Sequence, residues 1–341
     1  MPRFSPRVTG VEPSATVRIA DLAAEYRSKG RDVVDLSQGD PDFDTPAHIR
    51  EAAADALEDG ETHYTASAGL PDLREAIAAK LADENDVPTA PDRISVTPGG
   101  KQAIFEALFA LLDEGDEVVL LDPSWVSYEA IVRMSGGTLN RVRLDPDRGF
   151  RIDETALRAA VTDETRAIVV NTPANPTGAV LPEADLSIVR DLCVEHDVWA
   201  IADEIYEAIR YGADHVSLAS LSGMADRTVT VNGFSKSHAM TGWRLGYYTA
   251  PADLFEQAAK VQSHTVTCAT SFAQRGAVAA LEGPREPVED MRATFERRRD
   301  VAMDDLADAG VTVPTPEGAF YLFLPVSTTD DGDLCETLLR D

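Results

Sequence analysis

The chain is poor in cysteine, in lysine and in long apolar runs. Its three cysteines, Cys193, Cys268 and Cys335, stand far apart with no CxxC and no Cys/His ligand spacing. That pattern sets aside a disulfide framework and a zinc site, so no metal is expected, and the cysteines read as small apolar residues in or near the core. No apolar stretch approaches the length that crosses a bilayer, and the opening "MPRFSPRVTG" lacks the apolar segment of a secretion signal. A cytoplasmic protein with no membrane partner is expected. Lysine occurs only as Lys29, Lys80, Lys101, Lys236 and Lys260, so 26 of the 31 basic residues are arginine. Acidic residues number 59, giving a formal net charge of −28, a field that repels phosphate backbones and excludes nucleic acid as an expected partner. The acids are spread through stretches such as "YGADHVS", "LPEADLS" and "STTDDGD", which reads as a solvated surface and not an acidic tail. Adaptation to a high-salt cytoplasm, a halophilic setting where ions screen the self-repulsion, is the expectation. In a chain so short of lysine, each one that remains is a candidate for a specific task, Lys236 above all.

What is present points to an α/β protein. With 341 residues, 44% of them hydrophobic, the chain can bury a large core in more than one folding unit. Helix-period segments ("KQAIFEALFALL", "WVSYEAIVRMSG", "EADLSIVRDLCVEHD") alternate with β-rich runs ("DEVVLLD", "RAIVVNTP", "VWAIADE", "TVTVNGFS", "WRLGYYTA"). The alternation predicts a mostly parallel sheet, and the near-continuous apolar runs predict strands covered on both faces. Residues 284–309 read as one long charged helix. It leads to a smaller unit that begins with "VTVPTPEGAFYLFLPV" and includes part of the N-terminal region. The expected division is 1–45 for the N-terminal arm and first part of the small domain, 46–285 for the large domain, and 286–341 for the interdomain helix and the rest of the small domain.

Polar residues gather where strands run into helices, the place where open α/β sheets bind ligands. In "SVTPGGKQAI" a strand, a glycine turn and a helix follow one another, so Gly99, Gly100 and Lys101 offer N–H groups to a phosphate or simply make a turn. Asp203 ends the run "VWAIAD", where a carboxylate either holds a charged ring nitrogen or caps the next helix. Asn175, between prolines in "NTPANPTG", reaches a ligand oxygen or stabilises its own turn. Trp125 opens a helix and is either core or a plate for a planar ligand. With Lys236 and Arg244 these are the parts that pyridoxal 5′-phosphate requires.

On "LSQGDPDFDTP", "HYTASAGLPDLREAIA", "TPGGKQAI", "NTPANPTGAV", "ADEIYE" and "SKSHAMTGWRLGY", in that order, the sequence resembles the fold type I pyridoxal-phosphate enzymes, class I and II aminotransferases, and most closely the microbial aspartate aminotransferase subgroup. The resemblance implies a three-layer α/β/α fold with a mostly parallel mixed sheet, plus a smaller α+β domain. It implies that Lys236 forms the internal aldimine and later carries the proton between Cα and C4′. Asp203 keeps the pyridine nitrogen protonated. Tyr206 and Asn175 hydrogen-bond the phenolic oxygen, and Trp125 stacks on the ring. Gly100, Lys101 and Arg244 bind the phosphate, with Tyr64 reaching it from the neighbouring subunit of a homodimer. Gly39 gives a backbone N–H to the substrate carboxylate, beside Trp125 and Asn175. The implied reaction exchanges the amino group of an aspartate- or glutamate-like amino acid with a 2-oxo acid in a ping-pong cycle. A C–S lyase on the same fold is the alternative.

Two departures stand out. Where many relatives carry a phosphate-binding serine three residues before the lysine, this chain has Gly233, with Ser235 next to the lysine. Relatives also continue past a "GAFYLFLP" strand to an arginine that clamps the substrate carboxylate bidentately. This chain runs to Asp341 in "ETLLRD", inside a helix, and Arg340 comes too early in the pattern to be that arginine. The C-terminus therefore reads as truncated, and a non-catalytic homologue is the further alternative.

Overall fold

A computed structural model describes residues 3–326 and 331–340 of the chain. Seven strands form one sheet: β1 (Ile94–Thr97), β2 (Glu117–Asp122), β3 (Thr138–Arg143), β4 (Thr165–Asn171), β5 (Trp199–Asp203), β6 (Thr228–Gly233) and β7 (Gly246–Thr249). Their spatial order is β1-β7-β6-β5-β4-β2-β3. β7 runs antiparallel to both its neighbours and the other pairs are parallel, which is the mostly parallel mixed sheet expected.

The sheet is covered on both faces, and the alternation of side chains shows it. Val119, Leu121, Ile168, Val170, Ala200 and Ala202 pack with Leu186, Val189, Leu192 and Cys193 of the helix Glu183–His196. The intervening residues Val118, Leu120, Ala167, Val169 and Ile201 pack with Ala103, Ile104, Ala107 and Leu108 of the helix Gly100–Leu111. Period-2 alternation along the strands meets period-3.6 spacing along the helices, and the apolar residues of the central strands find partners on both faces. Each fully buried leucine contributes roughly 1.5–3 kcal/mol, so truncating Leu186 or Leu108 to alanine costs about 2–5 kcal/mol.

The long helix runs Glu286–Asp308, with Met291 and Phe295 buried and much of its remaining surface charged. Its Arg298 holds Asp42 through two bonds of 2.7 and 3.0 Å, tying the helix to the "SQGDPDF" loop. The run "GAFYLFLP" is not a strand. Among the described residues it joins a ladder nowhere beyond the isolated bridge Arg210↔Gly318, and its aromatic rings pack instead, Phe320 stacking on Phe295 at 4.9 Å. "WRLGYYTA" is a strand only from Gly246. Trp243 closes a 3₁₀ turn and Arg244 takes a left-handed φ of 51°. The helix expected to open at Trp125 spans Ser127–Met134. The helix at "ETLLRD" is present as Asp331–Arg340. Of the acidic stretch "STTDDGD", residues 327–330 lie outside the described residues.

Candidate active site

Register sets the site. Asp203 pairs with Asn171 on one side and Val231 on the other, so the carboxyl ends of β4, β5 and β6 stand level. β6 then runs on through Ser235 to Lys236. Gly233 has no room for a serine: a Cβ there would stand 2.8 Å from the Gly246 Cα and 3.0 Å from the Leu245 carbonyl oxygen. The departure from the family pattern thus matches close contact between two strands. Ser235 is buried, and its carbonyl accepts the Met240 N–H at 3.2 Å.

Lys236 points at the N-terminal loop and donates to the Gly39 carbonyl, with its ammonium 5.7 Å from the Phe320 ring centroid. Burial pulls its pKa down to about 8, with Arg244 acting in the same direction and Asp40 and Asp203 opposing. Asp203 is buried and moves the other way: desolvation raises it to about 6, restrained by the Tyr128 hydroxyl, which donates at 2.7 Å, and by the Ile205 N–H at 3.3 Å. The segment directly after it is a turn and not an α-helix, so it caps no helix.

Asn175 is anchored by its N–H to Asn171 Oδ1 at 2.7 Å, and Asn171 donates to the Asp203 carbonyl at 2.8 Å. Its side-chain amide donates to the Tyr321 hydroxyl at 3.3 Å, and that hydroxyl lies 2.6 Å from the hydroxyl of Tyr206. Burial holds both phenols above the usual tyrosine range, Tyr321 at about 12. Trp125 meets Tyr128 edge-on at 5.3 Å, and the Lys101 ammonium lies 4.9 Å from the Trp125 ring centroid.

At the far side of the site Gly99 has φ 86° and Gly100 begins the helix. A Cβ on Gly99 would stand 2.7 Å from Arg244 Nη2, and one on Gly246 would stand 2.4 Å from the Gly100 nitrogen. The bare backbone lets the Arg244 guanidinium approach a helix N-terminus, an arrangement that suits a dianion and fits a phosphate group. Arg244 is held there by its own Nη1–H bond to the Thr241 carbonyl at 2.8 Å. Ten of the eleven expected residues therefore meet around the ends of β4, β5 and β6. Tyr64 does not join them; its side chain is 85% exposed. Arg340 is paired with Glu336 at 3.0 Å.

Two residues of the site escaped the sequence reading, Tyr128 and Tyr321. For Tyr128 a signal existed, since it lies three residues after Trp125, whose ring it meets edge-on. Behind the site lies a buried polar cluster in which Glu204, Glu207 and His215 bring one ligand atom each within 4.8 Å of one another. Lys80 already supplies positive charge there, bonding Glu207 and, at 2.6 Å, Asn85. Burial draws the His215 imidazole down, but the two carboxylates outweigh it and leave it raised.

The site agrees with what known proteins share with this chain. Residues 31–341 match the family "Aminotransferase class I and II". The aspartate/prephenate aminotransferase of Thermus thermophilus is 44% identical over 342 residues, covering 99% of this chain and 88% of that protein. The aspartate aminotransferase of Geobacillus stearothermophilus is 43% identical over 324 residues, 94% of this chain and 82% of that one. Among solved structures, Thermus thermophilus aspartate aminotransferase with maleate superposes with a TM-score of 0.96 at 43% identity, covering all of this chain and 90% of that one. The chain is a member of the class I and II aminotransferases, with the fold type I architecture of the aspartate aminotransferase subgroup.

Proposed function

We propose that the protein is a pyridoxal 5′-phosphate-dependent aminotransferase that moves the amino group of an aspartate- or glutamate-like amino acid to a 2-oxo acid in two half-reactions of a ping-pong cycle. One observation carries the reading: a half-buried lysine with its pKa drawn down to about 8 shares a strand-end site with a buried carboxylate held by a tyrosine. At pH 7 roughly one Lys236 in ten is the free, nucleophilic amine. Bound pyridoxal phosphate supplies the electron sink for the pair left when the substrate loses its α-proton. Lys236 is its covalent attachment point and then the base at Cα. Asp203 holds a proton on the ring nitrogen, Tyr206 and Asn175 donate to the phenolic oxygen, and Trp125 covers the ring. The Gly100 N–H, Lys101 and Arg244 take the phosphate, while Gly39 offers its N–H to the substrate carboxylate. The dicarboxylate preference draws support from the names of the relatives and from maleate in the Thermus structure.

The test is a visible spectrum of the protein with pyridoxal phosphate, for wild type and Lys236→Ala. An imine band should form in wild type alone, and stoichiometric glutamate should convert it to the pyridoxamine form. Release of pyruvate and ammonia from a cysteine substrate, without that conversion, would instead establish the lyase.

The same reading takes the protein as a cytoplasmic homodimer, with Tyr64 donated across the boundary. A sedimenting monomer that keeps the cofactor would overturn the dimer. Residues 1–45 and 286–341 belong to one small unit in this reading, supported by the Arg298–Asp42 pair, the Arg18–Glu336 ion pair and the Arg31 bond to the Arg340 carbonyl at 2.7 Å. Cleavage by dilute protease should fall near residues 45 and 285. For the high-salt setting, Tm should rise as KCl is raised from 0.1 to 2 M; an unchanged Tm refutes it.

A further inference from the structure

We propose that Tyr321 is a positioning residue of the reaction, acting through Tyr206 as the middle hydroxyl of a one-way hydrogen-bond chain. The inference rests on the cofactor reading above. Asn175 Nδ2 can only donate, so across 3.3 Å the Tyr321 oxygen accepts. In the proposed chain the Tyr321 proton goes to the Tyr206 oxygen, 2.6 Å away, a contact in which either hydroxyl can donate. Tyr206, now an acceptor on that side, has its own proton free to point at a ligand. Chains of this kind polarise each member in turn, so Tyr206 becomes a stronger donor than a lone phenol.

The surroundings fix Tyr321 in that role. A Cβ on Gly39 would stand 2.0 Å from the Tyr321 hydroxyl, so the hydroxyl reaches the chain across a residue that has no side chain. The carbonyl of the same Gly39 accepts from Lys236. The Tyr206 ring meets Phe320 and Tyr321 edge-on at 5.6 and 5.7 Å, which holds the two phenols at a set angle. Tyr321 thus touches the N-terminal loop, the Asn175 loop and the turn after β5 at once.

Stronger donation from Tyr206 to the phenolic oxygen of the cofactor weakens that oxygen's hold on the imine proton and lowers the imine pKa. The other groups that bear on the Lys236 nitrogen are Asp40, Asp203 and Arg244. None of them is bonded to Tyr321, so its variant leaves them in place.

The experiment is a spectrophotometric pH titration of the imine band in holoenzyme for wild type, Tyr321→Phe, Tyr206→Phe and the double variant. The imine pKa should rise by roughly half a pH unit in Tyr321→Phe. In the Tyr206→Phe background the same change should add nothing, because Tyr321 acts only through Tyr206. A purely structural role would move Tm and leave the midpoint alone. An unmoved midpoint, or an equal shift in both backgrounds, overturns the proposal. Should Tyr321→Phe not fold, Tyr321→Met fills the space without a hydroxyl and reads the same midpoint. Absence of any imine band in wild type would overturn the cofactor reading and this proposal with it; a band indifferent to Tyr321 overturns this proposal alone.

Discussion

The hydroxyl of Tyr128 donates to Asp203 Oδ2 across 2.7 Å, with both side chains buried. Asp203 feels two opposed influences: desolvation raises its pKa from 3.8 to about 6, and this bond holds it from rising further. In the proposed function the ring nitrogen needs the ionised form of Asp203, and on that reading Tyr128 sets the lower pH limit of the site. In Tyr128→Phe the acidic limb of the kcat/KM profile should move up by about one unit, a loss expected from a hydrogen bond to a charged group. A pH–rate profile checks it, and an unmoved limb would break the link.

Asp203 also costs stability. Its folded pKa lies above the unfolded value, so its contribution is full below about pH 3.8 and is lost as pH rises to about 6. Asp203→Asn, which can still accept from Tyr128, should therefore make the cofactor-free protein more stable at pH 8, by at most about 3 kcal/mol. Urea unfolding at pH 8 and at pH 3.5 measures the difference, which should vanish at the lower pH.

Glu106 carries the same logic away from the site. It is buried in the helix Gly100–Leu111, its Oε1 accepts from Gln102 at 3.0 Å, and its Oε2 has no hydrogen-bond partner. Burial raises its pKa from 4.5 to about 8. Stability from this group is full below about pH 4.5 and falls as pH climbs to 8. Glu106→Gln should flatten that slope and gain roughly 2–4 kcal/mol at pH 8.5 over wild type. Equal stability of the two proteins at pH 8.5 would show the carboxylate to be solvated.

Gly99→Ala tests the phosphate cradle. The new methyl meets Arg244 Nη2 at 2.7 Å and forces a left-handed φ on alanine. Equilibrium dialysis should show pyridoxal phosphate bound about 10- to 100-fold more weakly, from one displaced charged contact. Pyridoxal without its phosphate should bind both proteins alike.

The central strands were legible because burial on both faces leaves continuous apolar runs, and the helices because their period persists over three turns. β3 was not legible: "TLNRVR" lies at the sheet edge, largely open to solvent, and carries four polar side chains in six residues. Aromatic residues at 318–325 carry β propensity, yet they serve as ring contacts to Tyr206 and Phe295, a tertiary matter that no local window reports. Arg244 was legible as a phosphate ligand, but its left-handed backbone, which delays the strand in "WRLGYYTA" to Gly246, was not. Lysine scarcity and motif order drew attention to Lys236, Asp203 and Asn175. Tyr321 stands 115 positions from its partner Tyr206, and Glu106, four residues after Gln102, looks like solvent-facing helix. Their roles come from three-dimensional neighbours alone.

Gly246 runs so close under Gly100 that not even a methyl group fits between them. On the proposed reading this stretch of main chain lies beneath the phosphate, and no side chain can be added to it without moving the backbone. On that reading the anchoring end is a fixed socket, and change in substrate choice is left to side chains elsewhere in the site.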